Sequence, residues 1–300
     1  RPVALDGAMS MARRTREVAP PVPVVQADLA ALPFAPRSLG GGWARATYVH
    51  LRSVDVPGAL ADLHRCLRVG SPVELTFFGG DVEGRRLIPD DDFPGRWFST
   101  WRADHLRDVL VGAGFDVDEI ASDGTPPDVV QHTVCATRAR TLPDLVRPGL
   151  RLLVCGLNPS LHAADAGVGY VTPGNRFWPA ALAAGLVSRD RDPWHALHQH
   201  GVGMTDLVKR ATPRAADLTR AEFTEGVARV ERLCRWLEPG AVAIVGLAGW
   251  RAAVDRSARP GPQERTLGGR PVYVLPSTSG LNAATPLADL TAHLRAAACT

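Results

Sequence analysis

The sequence predicts an α/β protein made of two successive α/β domains. Short apolar runs rich in β-formers alternate with amphipathic segments of helical period, and the series occurs twice along the 300 residues. Between the two series lies 137–149, a polar stretch with two prolines. It places a first domain at 1–138, a linker at 139–149 and a second domain at 150–300. A third observation concerns the segment RLLVCGLNPSL at 151–161. Its apolar run stops at Gly156, and the next turn presents Asn158 held by Pro159, at the carboxyl edge where α/β sheets bind ligands.

In the first half, RPVALD reads as a strand ending on Asp6 and MSMARRTREV as a helix. VPVVQAD is a strand ending on Asp28, and GGWARATYVHL a third strand followed by a loop. PGALADLHRCLRVG is an amphipathic helix with Leu60, Leu63 and Leu67 on one face and Gly70 as its stop. SPVELTFFGG is a strand, ADHLRDVLVGAGF a helix, and FDVDEI and HTVCATR are the closing strands.

Acidic residues at successive strand ends are where a doubly wound fold holds a ribose or an adenine. With "LHRCLRVGSPVELTFF", this stretch resembles the later two-thirds of a class I S-adenosylmethionine-dependent methyltransferase. The resemblance implies an incomplete Rossmann-like fold, with Asp6 at the ribose position and Asp28 at the adenine position as cofactor-binding residues. The family's Gly-x-Gly-x-Gly turn has no counterpart ahead of Asp6. S-adenosylmethionine is therefore expected to bind only if a missing N-terminal part is restored. A methyltransferase carried by this half within a longer parent chain is the alternative reading.

The second half repeats the α/β logic. LRLLVCG is a strand, NRFWPAALAAGL begins a helix running to Gly185, and HGVGMTDLVKR reads as a turn plus a short helix. A long amphipathic helix follows, with Thr219 as N-cap and Glu222 completing a capping box. AVAIVGL is a buried strand, LAGWRAAV a helix, RPVYVLP a strand, and LADLTAHLRAAA the closing helix. The pattern predicts a three-layer α/β/α domain with a central parallel sheet. Its loops 156–178, 246–250 and 276–285 follow strand ends and converge at one edge.

Those loops carry a closer resemblance. Gly156-Leu157-Asn158-Pro159-Ser160, Tyr170 and Asn175-Arg176-Phe177-Trp178, with "GVGMTDLVKRAT" and "VLPSTSGLN", resemble the mismatch-specific uracil/thymine-DNA glycosylases, the Mug/TDG family of the uracil-DNA glycosylase superfamily. The resemblance implies base excision repair of double-stranded DNA carrying a G·U or G·T mismatch. The target base leaves the stack and water attacks its sugar. In that frame Asn158 holds the water as the catalytic residue, and Tyr170 stacks on the flipped base. Gly156 and Leu157 line the pocket, and Asn175 is either at its edge or a helix cap. Ser277, Ser279, Gly280, Leu281 and Asn282 form the insertion loop, with Leu281 as the wedge. Ser277 stands where fast uracil glycosylases carry a His, and Ala283 where some relatives carry an Arg. An amide cannot ionise, so slow turnover is expected.

Composition excludes several other classes. With 45% apolar and 22% charged residues the chain can bury real cores. No apolar run is long enough for a membrane helix, and the start shows no signal peptide, so no membrane partner and a cytoplasmic location are expected. Cys66, Cys135, Cys155, Cys234 and Cys299 are scattered, which disfavours disulfides and structural zinc. The net charge is −2 over 1–140 and +5 over 141–300, making the second half the better partner for an anion. The histidines of Trp194-His195-Ala196-Leu197-His198-Gln199-His200 lack a carboxylate or Cys at ligand spacing, so no metal is expected. Asp90-Asp91-Asp92 reads as a solvated loop. Lys209, the only lysine, lies away from the catalytic turn, which predicts a monofunctional, cofactor-free glycosylase acting as a monomer. A non-catalytic binder of damaged DNA is the third reading.

Overall fold

A computed structural model describes residues 1–85, 93, 95–124, 129–282 and 284–300. Asp90, Asp91, Asp92 and Ala283 lie outside the described residues. The chain divides into two compact units, residues 1–107 with 115–138 and residues 108–114 with 139–300.

The chain up to residue 138 runs β1 (Ala4–Asp6), α1 (Met9–Val18), β2 (Val24–Gln26), β3 (Gly42–Ala44), α2 (Val56–Cys66), β4 (Pro72–Gly79), β5 (Glu83–Arg85), β6 (Trp97–Trp101), α3 (Ala103–Gly112), β7 (Phe115–Asp123) and β8 (Gln131–Arg138), all in the first unit except α3 from Asp108 on. Its β1 and β2 pair in parallel, and a second sheet has the order β5-β6-β4-β8-β7 with β3 also paired to β4. Leu60, Leu63 and Leu67 are buried as their spacing predicts. The helix nevertheless ends at Cys66, short of Gly70, because Leu67 turns extended and bridges to Leu39.

The second unit contains β9 (Leu152–Gly156), α4 (Leu161–Ala166), α5 (Phe177–Ala183), α6 (Pro193–His200), β10 (Val202–Asp206), α7 (Arg220–Leu237), β11 (Ala241–Val245), α8 (Leu247–Ala253), β12 (Gly261–Leu267), β13 (Arg270–Leu275) and α9 (Leu287–Ala298). The sheet order is β10-β9-β11-β13-β12; the first four strands are parallel and β12 is antiparallel to β13. Every residue of β9 and β11 is buried, as a sheet covered by helices on both faces requires. Leu152, Val154, Ala243, Val245 and Leu275 share one core with Phe177, Trp178, Ala196, Leu290 and Leu294 from α5, α6 and α9. The alternate residues Leu153, Cys155, Val242 and Ile244 are equally buried and point to the other face. These layers make the α/β/α sandwich.

Two parts of the second unit differ from the sequence reading. The stretch read as a turn plus helix is strand β10, paired to β9 along its length and bridged on its far side by Leu145, whose N–H and C=O exchange 2.9 Å hydrogen bonds with Met204. A short apolar run has no period long enough to separate helix from strand, and the partners on both sides decide it. Leu145 lies in the stretch expected to be a linker. There Leu142, Leu145 and Val146 are buried, and Asp144 bonds Thr205, Lys209 and Arg229. The histidine-rich stretch forms α6, capped by Asp192. Among the described residues no helix is long and apolar enough to cross a membrane.

Candidate active site

Because β9, β10, β11 and β13 are parallel, their carboxyl ends open on one edge of the sheet. The chain passes from β9 to β10 on one side and β11 on the other, so the end of β9 is the switch point where such sheets form a crevice. Asn158 stands two residues beyond it.

The Asn158 amide is held by the segment after β10. Its Nδ2 donates to Arg210 O at 3.0 Å, Thr212 Oγ1 at 2.8 Å and Pro159 O at 3.1 Å. Two of these partners are carbonyls, which only accept, so the NH₂ group must face them. The Thr212 hydroxyl in turn donates to Arg214 O at 2.8 Å. Among the described residues no donor reaches Asn158 Oδ1, and the half-buried side chain presents that oxygen as an acceptor. The Thr212 N–H to Pro159 O bond of 3.2 Å and the Ser160–Thr212 bridge lock the two segments together.

Gly156 ends β9 beneath the site. A Cβ there would lie 2.2 Å from Asp206 Oδ1 and 3.0 Å from Tyr170 Oη, so a side chain at this position would force the Asp206 carboxyl to move. Leu157 anchors its turn under α8, with Cδ2 only 2.8 Å from where a Gly249 Cβ would be. Tyr170 adopts a left-handed backbone, φ +61°, costly for a non-glycine residue. Its ring stacks on Phe177 at 4.2 Å and 24°, which commits one face of this half-buried side chain.

Asn175 Oδ1 accepts from Phe177 N at 3.0 Å, a local turn leading into α5, whose N-cap position is Arg176. The neighbouring Arg176 has a larger role. Its N–H bonds Thr278 O at 2.9 Å, and its guanidinium donates to the carbonyls of Thr285, Ser279 and Asn282. It thus clamps the loop after β13. The two loops touch where Gly280 crosses Gly174, a Cβ on the former being 2.9 Å from Gly174 O. Within that loop Ser277 Oγ accepts from Ser279 N at 3.3 Å, Ser279 Oγ accepts from Leu281 N at 3.3 Å, and Asn282 Nδ2 donates to Ser277 O at 2.8 Å. At its tip the Leu281 side chain is 98% exposed. A rigid loop therefore holds an apolar side chain in solvent, against the hydrophobic effect.

Lys209 is buried with its Nζ 2.7 Å from Asp144 Oδ1, and Asp144 also takes Arg229 Nη1 at 2.6 Å. These cations hold the Asp144 carboxyl below its ordinary range despite its burial. Arg229 Nη2 reaches on to Asp206 O at 2.8 Å and fixes the end of β10. Asp206 is the contrary case, since burial pushes its carboxyl up to about 6. Sequence reasoning assigned no role to Arg176, Asp206, Arg210 or Thr212. All four lie in stretches whose motifs were visible, but their roles depend on contacts across the fold.

The first unit collects fewer of its predicted residues. Asp28, with Gly7, Gln26, Ala27, Leu29, Thr47, His50 and Leu51, lines a cavity of about 520 Å³. Asp6 is absent from that lining and accepts from Ala8 N at 2.8 Å.

Solved structures similar to this chain include an S-adenosylmethionine-dependent methyltransferase from Methanosarcina mazei, at 11% identity and a TM-score of 0.40, covering 45% of this chain and 80% of that one. Another from Mesorhizobium loti matches at 15% identity and a TM-score of 0.36, covering 45% of this chain and 79% of that one. Neither transfers an activity. The family model described as the uracil DNA glycosylase superfamily matches residues 143–297, which hold the switch point, the Asn158 turn and the Leu281 loop. With more than half of its length so matched, the chain belongs to the uracil DNA glycosylase superfamily.

Proposed function

We propose that the chain is a monofunctional DNA glycosylase that flips uracil out of a G·U pair and hydrolyses its glycosidic bond. Thymine and exocyclic-adduct cytosine opposite guanine belong to the same substrate range. It acts as a monomer, without a cofactor, and leaves an abasic site for base excision repair. The observation that carries this reading is Asn158, whose NH₂ group is tied to three acceptors while Oδ1 stays open at the switch point.

In this reading the base stacks on the face of Tyr170 that Phe177 leaves uncovered, and Leu281 fills the gap in the duplex. Ser277, Ser279, Gly280 and Asn282 present the wedge and meet the DNA backbone and the widowed guanine. A water donates one hydrogen bond to Asn158 Oδ1, which turns a lone pair toward C1′. As the C1′–N bond breaks, its electron pair leaves with the base and the water oxygen bonds C1′. The water releases a proton to solvent and the departing base collects one. An amide neither takes that proton nor supplies negative charge opposite an oxocarbenium-like sugar, so turnover is slower than with a carboxylate. Lys209, buried against Asp144, supports hydrolysis over Schiff-base chemistry.

The test is release of the target base from duplexes with uracil, thymine or adducted cytosine opposite G and A. Uracil opposite G is expected to be released first. Asn158→Ala is expected to slow release by at least about 100-fold, the cost of misplacing a positioned reactant by about 1 Å. Full activity in that variant removes Asn158 from the mechanism.

A further inference from the structure

The histidines of α6 acquire in the fold a geometry that their spacing does not show. Along the chain they have no carboxylate or Cys at ligand spacing. In the structure His195 Nε2 lies 2.9 Å from Ser188 Oγ, and His200 Nε2 lies 2.8 Å from the same oxygen. The two imidazoles thus aim at one point, with centroids 5.4 Å apart and planes at 65°. Both are half-buried, whereas Ser188 is exposed on the connection that follows α5. His198 is engaged elsewhere, its ring stacked on Trp194 at 5.9 Å and 12°.

Ser188 has one proton to give, so it cannot satisfy two imidazoles that both present Nε2 as a lone pair. A cation at the shared point satisfies both at once. Two imidazoles that ligate one tetrahedral ion at about 2.0–2.1 Å have centroids about 5.2 Å apart, close to the separation found here. Each ring closes on such an ion by a shift of less than about 1 Å, and the exposed Ser188 hydroxyl turns aside into water. The cations of the same connection are already paired, Arg189 with Asp192 at 3.5 Å and Arg191 with Asp190 at 3.6 Å, which offsets their repulsion of an incoming ion.

We propose that His195 and His200 form a binding site for a divalent transition-metal ion of the zinc class. Neutral imidazole suits zinc, copper and nickel. Among the described residues no group of three or more His, Cys, Asp or Glu is placed to hold an ion, so water completes the coordination. Half of the four-ligand set of a structural zinc site implies a Kd between about 1 and 200 µM. The site stands apart from the Asn158 turn. Gly201, next to His200, accepts at its carbonyl from Arg151 N at 2.8 Å, at the amino ends of β9 and β10, whereas Asn158 follows the carboxyl end of β9. The ion therefore takes no part in hydrolysis and clamps α6 from its first turn to its last residue.

The experiment is calorimetric titration of the full chain with Zn²⁺ at about pH 7.5, in a Cys299→Ser background that removes the exposed thiol. One ion per chain is expected to bind, and to raise the melting temperature by mass action. His195→Asn and His200→Asn are each expected to weaken binding by at least about tenfold, since a lost ligand costs no less than a lost outer-shell partner. Ser188→Ala is expected to bind Zn²⁺ as tightly as the parent or more tightly, and His198→Asn to match the parent. Metal-free melting of each variant separates a lost ligand from a lost fold. Absence of saturable binding by the parent below about 1 mM overturns the proposal. So does binding that survives both histidine substitutions in folded protein, or a loss in His198→Asn or Ser188→Ala as large as theirs.

Discussion

Both units end parallel strands on acidic residues, yet the carboxyls have different fates. In the first unit Asp6 and Asp28 each spend an oxygen on the backbone N–H two residues on, Ala8 at 2.8 Å and Ala30 at 2.9 Å, and Asp28 is exposed. In the second, the half-buried Asp206 has no local partner, and burial pushes its carboxyl up to about 6. A strand end supplies position in both. Reactivity comes from withholding the local hydrogen bond and removing water, which only the second unit does.

The sharpest way to break this contrast is to fill the space that Gly156 leaves. A methyl group 2.2 Å from Asp206 Oδ1 forces that carboxyl to move, and at 3.0 Å the Tyr170 hydroxyl must give as well, while Arg229 fixes the backbone of Asp206. Gly156→Ala is expected to lower uracil release by at least about 100-fold, since displacements of about 1 Å cost that much in positioned sites. If it retains more than a tenth of the wild-type rate, the Gly156–Asp206–Tyr170 corner is not part of the base site.

What could be read without the fold follows the same divide. Periodicity placed α1, α2, β4, β9, β11, β13 and α9, because each carries a local pattern that no distant partner overrides. Gly156, Asn158 and Leu281 were legible as turn chemistry and motif. Asp206 was not, because its raised carboxyl comes from burial within the fold, which outweighs the opposing pull of Lys209 and Arg229. Arg176 escaped for a similar reason: its partners are backbone carbonyls about 100 residues away, at Ser279, Asn282 and Thr285. The strand β10 was misread because Gly203 and the polar Thr205 dilute its apolar signal.

A second prediction sets Asp206 against Asp144 through stability. Asp206 has a folded value raised above that of the unfolded chain, so its contribution is fully present below about 3.8 and is lost as pH rises through about 6. At pH 8 the ionised carboxyl costs up to about 3 kcal/mol, which Asp206→Asn recovers in part. Asp144 has a lowered value, so its contribution is present above the unfolded value and lost as pH falls through the folded one. Denaturant unfolding at pH 5 and pH 8 is expected to show Asp206→Asn gaining stability over wild type as pH rises. Asp144→Asn is expected to destabilise at both pH values, because it leaves Lys209 and Arg229 buried without their counter-charge. An Asp206→Asn variant that loses stability relative to wild type on going to pH 8 contradicts a raised Asp206 carboxyl.

The clamp on the wedge loop gives a smaller effect. Arg176→Ala frees the carbonyls of Ser279, Asn282 and Thr285, each bond being worth about 1 kcal/mol, more when the donor is charged. Leu281 then no longer holds a fixed position, and uracil release is expected to fall about tenfold. Limited proteolysis should cut at 277–282 in the variant and spare the wild type. Unchanged cleavage would assign the rigidity of the loop to its internal bonds among Ser277, Ser279 and Asn282.

The smallest effect belongs to the glycine that mirrors Gly156 in the first unit. Gly7 follows Asp6 at the end of β1, and a Cβ there would meet Ala27 O at 3.6 Å, an ordinary contact. Its backbone is not among those in the left-handed region, so an alanine fits without strain. Gly7→Ala is expected to change stability by less than about 0.5 kcal/mol, with a slight gain from the stiffer unfolded chain, and to leave uracil release untouched. Denaturant midpoints and the G·U assay on the same preparation check both. A loss above about 2 kcal/mol would mean that the cavity beside Asp28 is packed around Gly7 as tightly as the base site is around Gly156. The contrast between a satisfied strand end and a withheld one would then have to be redrawn.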